Sequence, residues 1–257
     1  MTGRPTHLVL VPGLACTEDL FAEQIASLRG KVAVSVADHA RHDTMSAIAR
    51  AVFATAPNRF ALCGLSMGGY IAFEMVRQAP DRIERLALLD TSALSDTPEQ
   101  AERRLKLIAM AQTGEFKSVR DTLWPLFVHP ARYDNVALKR AVFKMMDDTG
   151  PETFIRQQKA IMSRPDSRSS LEAIHCPTLV LVGNEDALTP VSVALTIAEG
   201  IAGSKLDIVS RLRPSVDHGT AGCGYRGTAR LDRSVDFLGK STFDLVNRAA
   251  IDPNRPP

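Results

Sequence analysis

The sequence predicts an α/β fold with a mostly parallel central sheet, helices on both faces and a helical lid inserted before the last strands. Short apolar runs alternate with amphipathic segments along most of the chain, and this alternation favours parallel strands connected by helices. The turn between one such strand and its helix reads Gly64-Leu65-Ser66-Met67-Gly68. That pattern is typical of a sharp turn that carries a serine clear of the backbone.

Six short apolar runs are predicted as strands. In chain order they span residues 7–11, 31–36, 59–63, 85–89, 176–182 and 205–209. Apolar residues at helical spacing predict helices over residues 17–28, 44–55 and 70–78, with Thr17 as the N-cap of the first. Each of these helices follows a strand, as the crossover connections of a parallel sheet require.

Residues 92–170 interrupt this alternation, because they contain no clear strand. Helices are predicted there over residues 98–111, 116–127, 135–146 and 151–162. A helical block between two strands is placed to cover the strand ends, so we expect a lid whose apolar residues either line an acyl pocket or pack onto the core. The chain then divides into the first part of the core (1–91), the lid (92–170) and the last part of the core with an atypical C-terminal tail (171–257).

Composition argues against several classes of function. The 257 residues carry a formal net charge of +2 with acids and bases interspersed, and no basic stripe indicates nucleic-acid binding. No apolar run reaches about 18 residues, so no membrane span is predicted. The N-terminus lacks the features of a signal peptide.

The four cysteines show neither CxxC nor zinc-finger spacing, so we expect free thiols in a cytoplasmic protein without metal or cofactor. Cys63 is expected to be a core residue.

Three motifs resemble those of the α/β-hydrolase superfamily, in the order that the superfamily has them. Residues 11–14 resemble its oxyanion loop, residues 64–68 its nucleophile elbow and residues 182–190 its acid loop. The resemblance extends from about residue 7 to residue 209. Many members have His-Gly where this chain has Pro12-Gly13, a change that removes a side chain but no backbone donor.

The resemblance implies a role for each matched position. A serine hydroxyl needs a neighbouring base to become a nucleophile, and a carboxylate orients that base. Ser66 is implied as the nucleophile, and the backbone N–H groups of Leu14 and Met67 as the donors of the oxyanion hole. Asp186 is implied as the acid, and Asp90, which follows the strand after the elbow, is the alternative.

The histidine is the member of the triad at which this chain departs from the superfamily. It follows the acid along the chain, and here only His218 lies beyond Asp186. Residues 210–235 are rich in Arg and Gly and lack both the expected Gly-His pair and a closing helix. Permitted codons for residues 210–226, read one base later, encode PDCGHLSTMEQPDAVT, which contains that pair and a following Glu-x-Pro. We therefore hypothesise a frameshift after about Val209, either real or a sequencing error.

The other histidines are expected outside the catalytic triad. His39 and His42 belong to a polar loop after the second strand, where loop hydrogen bonding is favoured over a metal cluster. His129 and His175 are isolated in the sequence, and solvation or a local hydrogen bond is expected for each. Glu185 is expected to point away from its neighbour's site.

The function predicted from these features is a serine hydrolase that cleaves a small ester, lactone or thioester through an acyl-enzyme at Ser66. Hydrolysis of a carbon–carbon bond could use the same groups. The alternative is a catalytically impaired or non-enzymatic relative, because the histidine region is altered. A nucleotide-binding fold is disfavoured, since neither GxGxxG nor GxxxxGK[ST] occurs. The expected partner is a small-molecule acyl substrate, with no nucleic acid and no membrane, and a homo-oligomer is left open.

Overall fold

A computed structural model describes residues 7–209 of the chain. Its centre is a sheet in which all strand pairs are parallel and the order is β2-β1-β3-β4-β5-β6. The strands are β1 (His7–Val11), β2 (Ala33–Val36), β3 (Phe60–Leu65), β4 (Ile83–Leu89), β5 (Thr178–Gly183) and β6 (Lys205–Val209). All six predicted strands are therefore confirmed: β1 and β6 have the predicted bounds, and the bounds of the other four shift by at most two residues.

Among the described residues, three of the seven α-helices begin after a residue whose side chain caps them: Thr44, Thr97 and Asn135. The seven helices are α1 (Ala22–Leu28), α2 (Met45–Thr55), α3 (Met67–Gln78), α4 (Pro98–Gln112), α5 (Phe116–Phe127), α6 (Val136–Met162) and α7 (Val191–Gly200). Two differences from the predicted bounds stand out. The helix predicted from residue 17 begins as a 3-10 turn, Glu18–Phe21, and α3 begins at Met67 rather than at residue 70.

Both faces of the sheet are buried, as the apolar runs of the strands predict. On β3, Phe60 and Leu62 belong to the core formed with α2 and α3, whereas Ala61 and Cys63 belong to the core formed with α1. Burial raises the pKa of the Cys63 thiol to about 12. A thiol that stays protonated is a poor nucleophile, so Cys63 is a packing residue, as expected.

Helices α4, α5 and α6 form the segment inserted between β4 and β5. Within α6, Gly150 has the non-helical dihedral angles φ 73° and ψ 165° and is followed by Pro151, so two helical parts meet at a kink. This is where the sequence predicts a break between two helices. Packing within the segment is apolar, and the Phe116 and Phe154 rings lie edge to face with centroids 5.6 Å apart.

A buried ionic cluster joins the two ends of the inserted segment. The Asp96 carboxylate, before α4, accepts from Arg104 Nε at 2.6 Å and pairs with Arg164 Nη2, after α6, at 2.9 Å. The Arg164 guanidinium also lies 4.2 Å from the centre of the Tyr70 ring on α3. These contacts fix the segment against the helix that follows the predicted nucleophile.

Candidate active site

The predicted site residues lie in loops at the carboxyl ends of neighbouring parallel strands. Three of these loops contain a non-glycine residue with positive φ: Ala15 at 54°, Ser66 at 52° and Asp90 at 43°. No other non-glycine residue between positions 7 and 209 has this backbone conformation. Such conformations cost roughly 1–3 kcal/mol each and concentrate at functional sites. The strain therefore marks the same edge of the sheet that the sequence motifs indicate.

Ser66 stands at the junction of β3 and α3 with φ 52° and ψ −113°. Its backbone is held on both sides, since its N–H donates to the Leu89 carbonyl at 2.9 Å and its carbonyl accepts from Gly69 N–H at 2.9 Å. The Thr91 hydroxyl donates to the same carbonyl at 2.8 Å. This turn has the strained geometry of a nucleophile elbow.

Two glycines of the elbow allow α3 to begin close to the strands. A Cβ on Gly64 would lie 2.3 Å from the Gly68 carbonyl oxygen, and a Cβ on Gly68 would lie 2.0 Å from the Val11 carbonyl oxygen. Neither distance is possible for a real side chain. The GxSxG spacing is thus explained by backbone approach at both glycines.

The loop after β1 lies against the elbow, where the sequence predicts the oxyanion hole. A Cβ on Gly13 would lie 3.6 Å from the Ser66 Cβ. The Leu14 N–H has no acceptor among residues 7–209. Met67 is the first residue of α3, a position whose N–H has no intrahelical acceptor. The structure thus leaves both predicted donors without a hydrogen bond within this part of the chain.

Asp90 and Asp186 lie beside each other, at the ends of β4 and β5. Asp90 Oδ1 accepts from the Gly183 N–H at 2.9 Å. Burial and the neighbouring Asp186 carboxylate raise the pKa of Asp90 to about 6, although the Gly183 hydrogen bond opposes this shift. Asp186 accepts three hydrogen bonds from its own loop, two from the N–H groups of Leu188 and Thr189 and one from the Thr189 hydroxyl. Both carboxylates considered from the sequence are thus at the same place.

The predicted base, His218, lies outside the described residues, as does the whole altered tail. Within residues 7–209, no histidine hydrogen bonds to Ser66. His7 contacts the Ser35 hydroxyl at 2.9 Å, and His129 contacts the Glu185 carboxylate at 2.5 Å. His129 also has the local hydrogen bond expected for it, since its Nδ1 accepts from the Ala131 N–H at 3.1 Å. Its contact with Glu185 places that carboxylate against the inserted segment.

Two contacts of the loop after β1 were not predicted from the sequence, although the hydrogen bond of His39 is of the loop type expected for it. His39 Nε2 lies 3.0 Å from the Gly13 carbonyl oxygen, and the Ala15 N–H donates to Gln157 Oε1 at 2.9 Å. Both side chains are buried. They are 26 and 142 residues away from their partners, and no local pattern signals a contact at such separation.

A cavity of about 310 Å³ opens on one side of the loop after β1, lined by Cys16, His39, Thr153 and Gln157 among others. Between positions 7 and 209, no group of three or more His, Cys, Asp or Glu side chains is arranged to hold a metal ion. In that same stretch, the helices are too short or too polar to cross a membrane.

Comparisons with known proteins agree with this geometry. The chain resembles a pimeloyl-acyl-carrier-protein methyl ester esterase of Chromobacterium violaceum, with 24% identity over 217 residues, 79% of this chain and 85% of the relative. Its structure is similar to that of a thermophilic esterase from Thermogutta terrifontis (TM-score 0.72, 27% identity, 81% and 82% coverage). It also has the fold of the enol-lactonase from Burkholderia xenovorans LB400 (TM-score 0.70, 24% identity, 80% and 84% coverage).

A match to a protein-family model shows the family to which the chain belongs. The model described as Hydrolase_4, serine aminopeptidase S33, matches residues 26–213, which is well over half of the chain. The match includes β2 to β6, the elbow, both carboxylates and the inserted segment. The chain therefore belongs to the Hydrolase_4 (serine aminopeptidase, S33) family of hydrolases, within the α/β-hydrolase superfamily.

Proposed function

We propose that this protein is a serine hydrolase that cleaves a small ester, lactone or thioester through an acyl-enzyme at Ser66. The observation that carries the proposal is the strained Ser66 backbone at the start of α3, with the Gly13 loop against it. Relatives named as esterases support the choice of an ester-type bond. The proposed location, from the sequence alone, is the cytoplasm.

The proposed reaction has two acyl-transfer steps. A histidine, for which His218 is the only residue after Asp186, takes the proton of the Ser66 hydroxyl while Oγ attacks the carbonyl carbon. The oxyanion then accepts hydrogen bonds from the N–H groups of Leu14 and Met67. The histidine returns its proton to the leaving alcohol or thiol, and water hydrolyses the acyl-enzyme by the same path in reverse.

The proposed acid is Asp186, which stands beside Asp90. A carboxylate in this role holds the histidine in the correct tautomer and stabilises the imidazolium form. Asp186 accepts three hydrogen bonds from residues 188 and 189, whereas burial raises the pKa of the Asp90 carboxyl to about 6. The raised pKa disfavours Asp90 for a role that requires a negative charge, so Asp186 is the proposed acid.

The inserted segment is proposed to act as a lid over this site and to favour a small organic acyl group over a polymer. Its apolar residues include Leu123, Trp124 and Phe154, all buried. Because these side chains are buried, they contribute to packing and not to an open acyl-binding surface. The acyl-binding surface is therefore proposed to come from the partly buried apolar residues of the segment, such as Leu126 and Phe127.

A second function follows from the altered histidine region, because residues 210–235 lack the Gly-His pair of the superfamily. If His218 does not reach the serine, the chain is a catalytically impaired relative, because loss of the base costs orders of magnitude in rate.

Labelling with a fluorophosphonate probe distinguishes the two functions. We expect stoichiometric labelling, mapped to Ser66 by peptide mass, and loss of labelling in Ser66→Ala but not in the matched variant Ser27→Ala on α1. Folded protein that is not labelled would contradict the proposed hydrolase and favour the impaired relative.

A further inference from the structure

The two peptide groups on either side of the Leu14 Cα are each held by a side chain from a distant element. The first group joins Gly13 to Leu14, and its carbonyl oxygen lies 3.0 Å from His39 Nε2, in the loop after β2. The second joins Leu14 to Ala15, and its N–H donates to Gln157 Oε1, on α6, at 2.9 Å. Cys16 adds weaker contacts, through its N–H to Gly13 and its thiol to Leu14.

Peptide planarity links these contacts to the oxyanion hole. The Gly13 carbonyl and the Leu14 N–H belong to one planar trans group, so they point in opposite directions. A hydrogen bond that fixes the carbonyl therefore also fixes the direction of the N–H. Since a carbonyl oxygen only accepts, the proton of His39 must be on Nε2. Burial lowers the pKa of His39, which favours a neutral ring in this place.

Gln157 has the features of a residue that positions the backbone of another loop and not of one that only fills space in the core. It is 1% exposed, and its Nε2 has no hydrogen-bond partner among residues 7–209. A buried amide with one unpaired end is costly to the fold. Its Oε1 holds the backbone of Ala15, whose positive φ of 54° needs support from its surroundings.

We propose that His39 and Gln157 are positioning residues that hold the Leu14 N–H toward the oxyanion at Ser66. The inference rests on the proposed function and adds to it two residues outside the triad. Gln157 comes from the inserted segment, so this segment contributes directly to the geometry of the oxyanion hole. Movement of its second half, after the kink at Gly150, would change the orientation of the donor.

The test uses pairs of variants that differ in one hydrogen-bonding atom. His39→Gln keeps an N–H donor near the place of Nε2, and His39→Met has a similar length without a donor. Gln157→Glu keeps an acceptor for the Ala15 N–H, and Gln157→Met does not. Each variant of the full chain is measured by saturation kinetics of phosphonylation at Ser66, which separate the affinity for the probe from the rate of the chemical step.

We expect His39→Met and Gln157→Met to lower the rate of the chemical step about tenfold to hundredfold. This loss should not exceed the one caused by removal of a whole oxyanion donor. The affinity for the probe should change less than about twofold, because the oxyanion forms only in the transition state. His39→Gln should recover most of the rate. Hydrogen exchange at the Ala15 amide should be faster in Gln157→Met than in the wild type.

Two results would overturn the inference. One is an unchanged chemical step in both methionine variants while the wild type is labelled. The other is an equal loss in His39→Gln and His39→Met, which would mean that His39 acts through packing alone. Failure of the proposed function is distinguishable, because the wild type itself would then remain unlabelled at Ser66, and the inference would fail with it.

Discussion

At the scale of single residues, the sequence motifs predict which residues form the candidate site better than they predict the contacts of those residues. Ser66 could be singled out from GxSxG, since the spacing reports close backbone approach at Gly64 and Gly68. Asp90 and Asp186 could be named, but their contact across two strand ends could not. The roles proposed for His39 and Gln157 depend on long-range contacts with one loop, and a single sequence contains no signal of such contacts.

The paired carboxylates lead to a prediction about pH. The pKa of Asp90 is raised from an ordinary 3.8 to about 6, so the folded state binds the proton more tightly than the unfolded state. The stability that this group contributes is therefore present below about pH 4 and is lost as the pH rises through 6. A shift of about 2 pKa units corresponds to at most roughly 3 kcal/mol.

Asp90→Asn is expected to raise the free energy of unfolding at pH 7.5 by about 2 kcal/mol, because the amide keeps an acceptor for Gly183 without the buried charge. Urea unfolding at pH 4.5 and 7.5 measures this gain, which should be largest at pH 7.5. Asp186→Asn is the matched control, expected to lower turnover by orders of magnitude while Asp90→Asn retains most of it. The opposite order of activities would make Asp90 the acid of the triad.

At the scale of elements, the six strands and the inserted helices follow from apolar periodicity, whereas their ends follow from local chemistry. The Thr97 capping box marks the start of α4, and Gly150 followed by Pro151 marks the kink in α6. The start of α3 was missed by three residues, because Gly68 and Gly69 look like loop residues in the sequence. Tertiary packing against β1 overrides their low helix propensity.

Close approach between α3 and β1 gives the prediction for Gly68→Ala. Its Cβ would lie 2.0 Å from the Val11 carbonyl oxygen, and neither backbone can move without disturbing the elbow. We expect a loss of about 3 kcal/mol or more in the free energy of unfolding, together with loss of Ser66 labelling. Chemical denaturation measures the first effect.

Gly30→Ala is the control for conformational strain without a steric clash. Gly30 has φ +77°, and within residues 7–209 no heavy atom beyond its chain neighbours lies within 4 Å of the position of its Cβ. This variant should lose only about 1 kcal/mol, from the left-handed backbone alone, and should keep its labelling. Equal losses in the two variants would show that α3 can shift away from β1, against the packing described above.

At the scale of the whole molecule, the face of the sheet that packs against α1 bears on the role of the tail, residues 210–257. Ala87 and Leu89 on β4, and Leu179 and Leu181 on β5, belong to the core of this face. Among residues 7–209, the helical elements in that core are the turn at Glu18–Phe21 and α1. Any further helix over the β4 and β5 part of this face therefore has to come from outside this range.

The frameshift hypothesis predicts that the tail of this chain covers the apolar face poorly. Residues 210–235 have little apolar periodicity, so we expect exposed apolar surface, low solubility and strong binding of an apolar dye such as ANS. A chain translated in the other frame of the same DNA after residue 209 should bind less dye, unfold at a higher urea concentration and be labelled faster at Ser66. The two chains share residues 7–209, so any difference arises from the tail.

The coding DNA provides the first check, since codons incompatible with a Gly-His pair in the other frame would exclude the hypothesis. If the given chain is instead monodisperse, unfolds cooperatively and reacts at Ser66, its tail supplies both the cover and the base. His218→Gln would then abolish labelling, whereas the matched variant His175→Gln, in a histidine before β5, would not. Both variants would leave labelling unchanged if this chain has no triad histidine and its residual reactivity comes from the oxyanion hole alone.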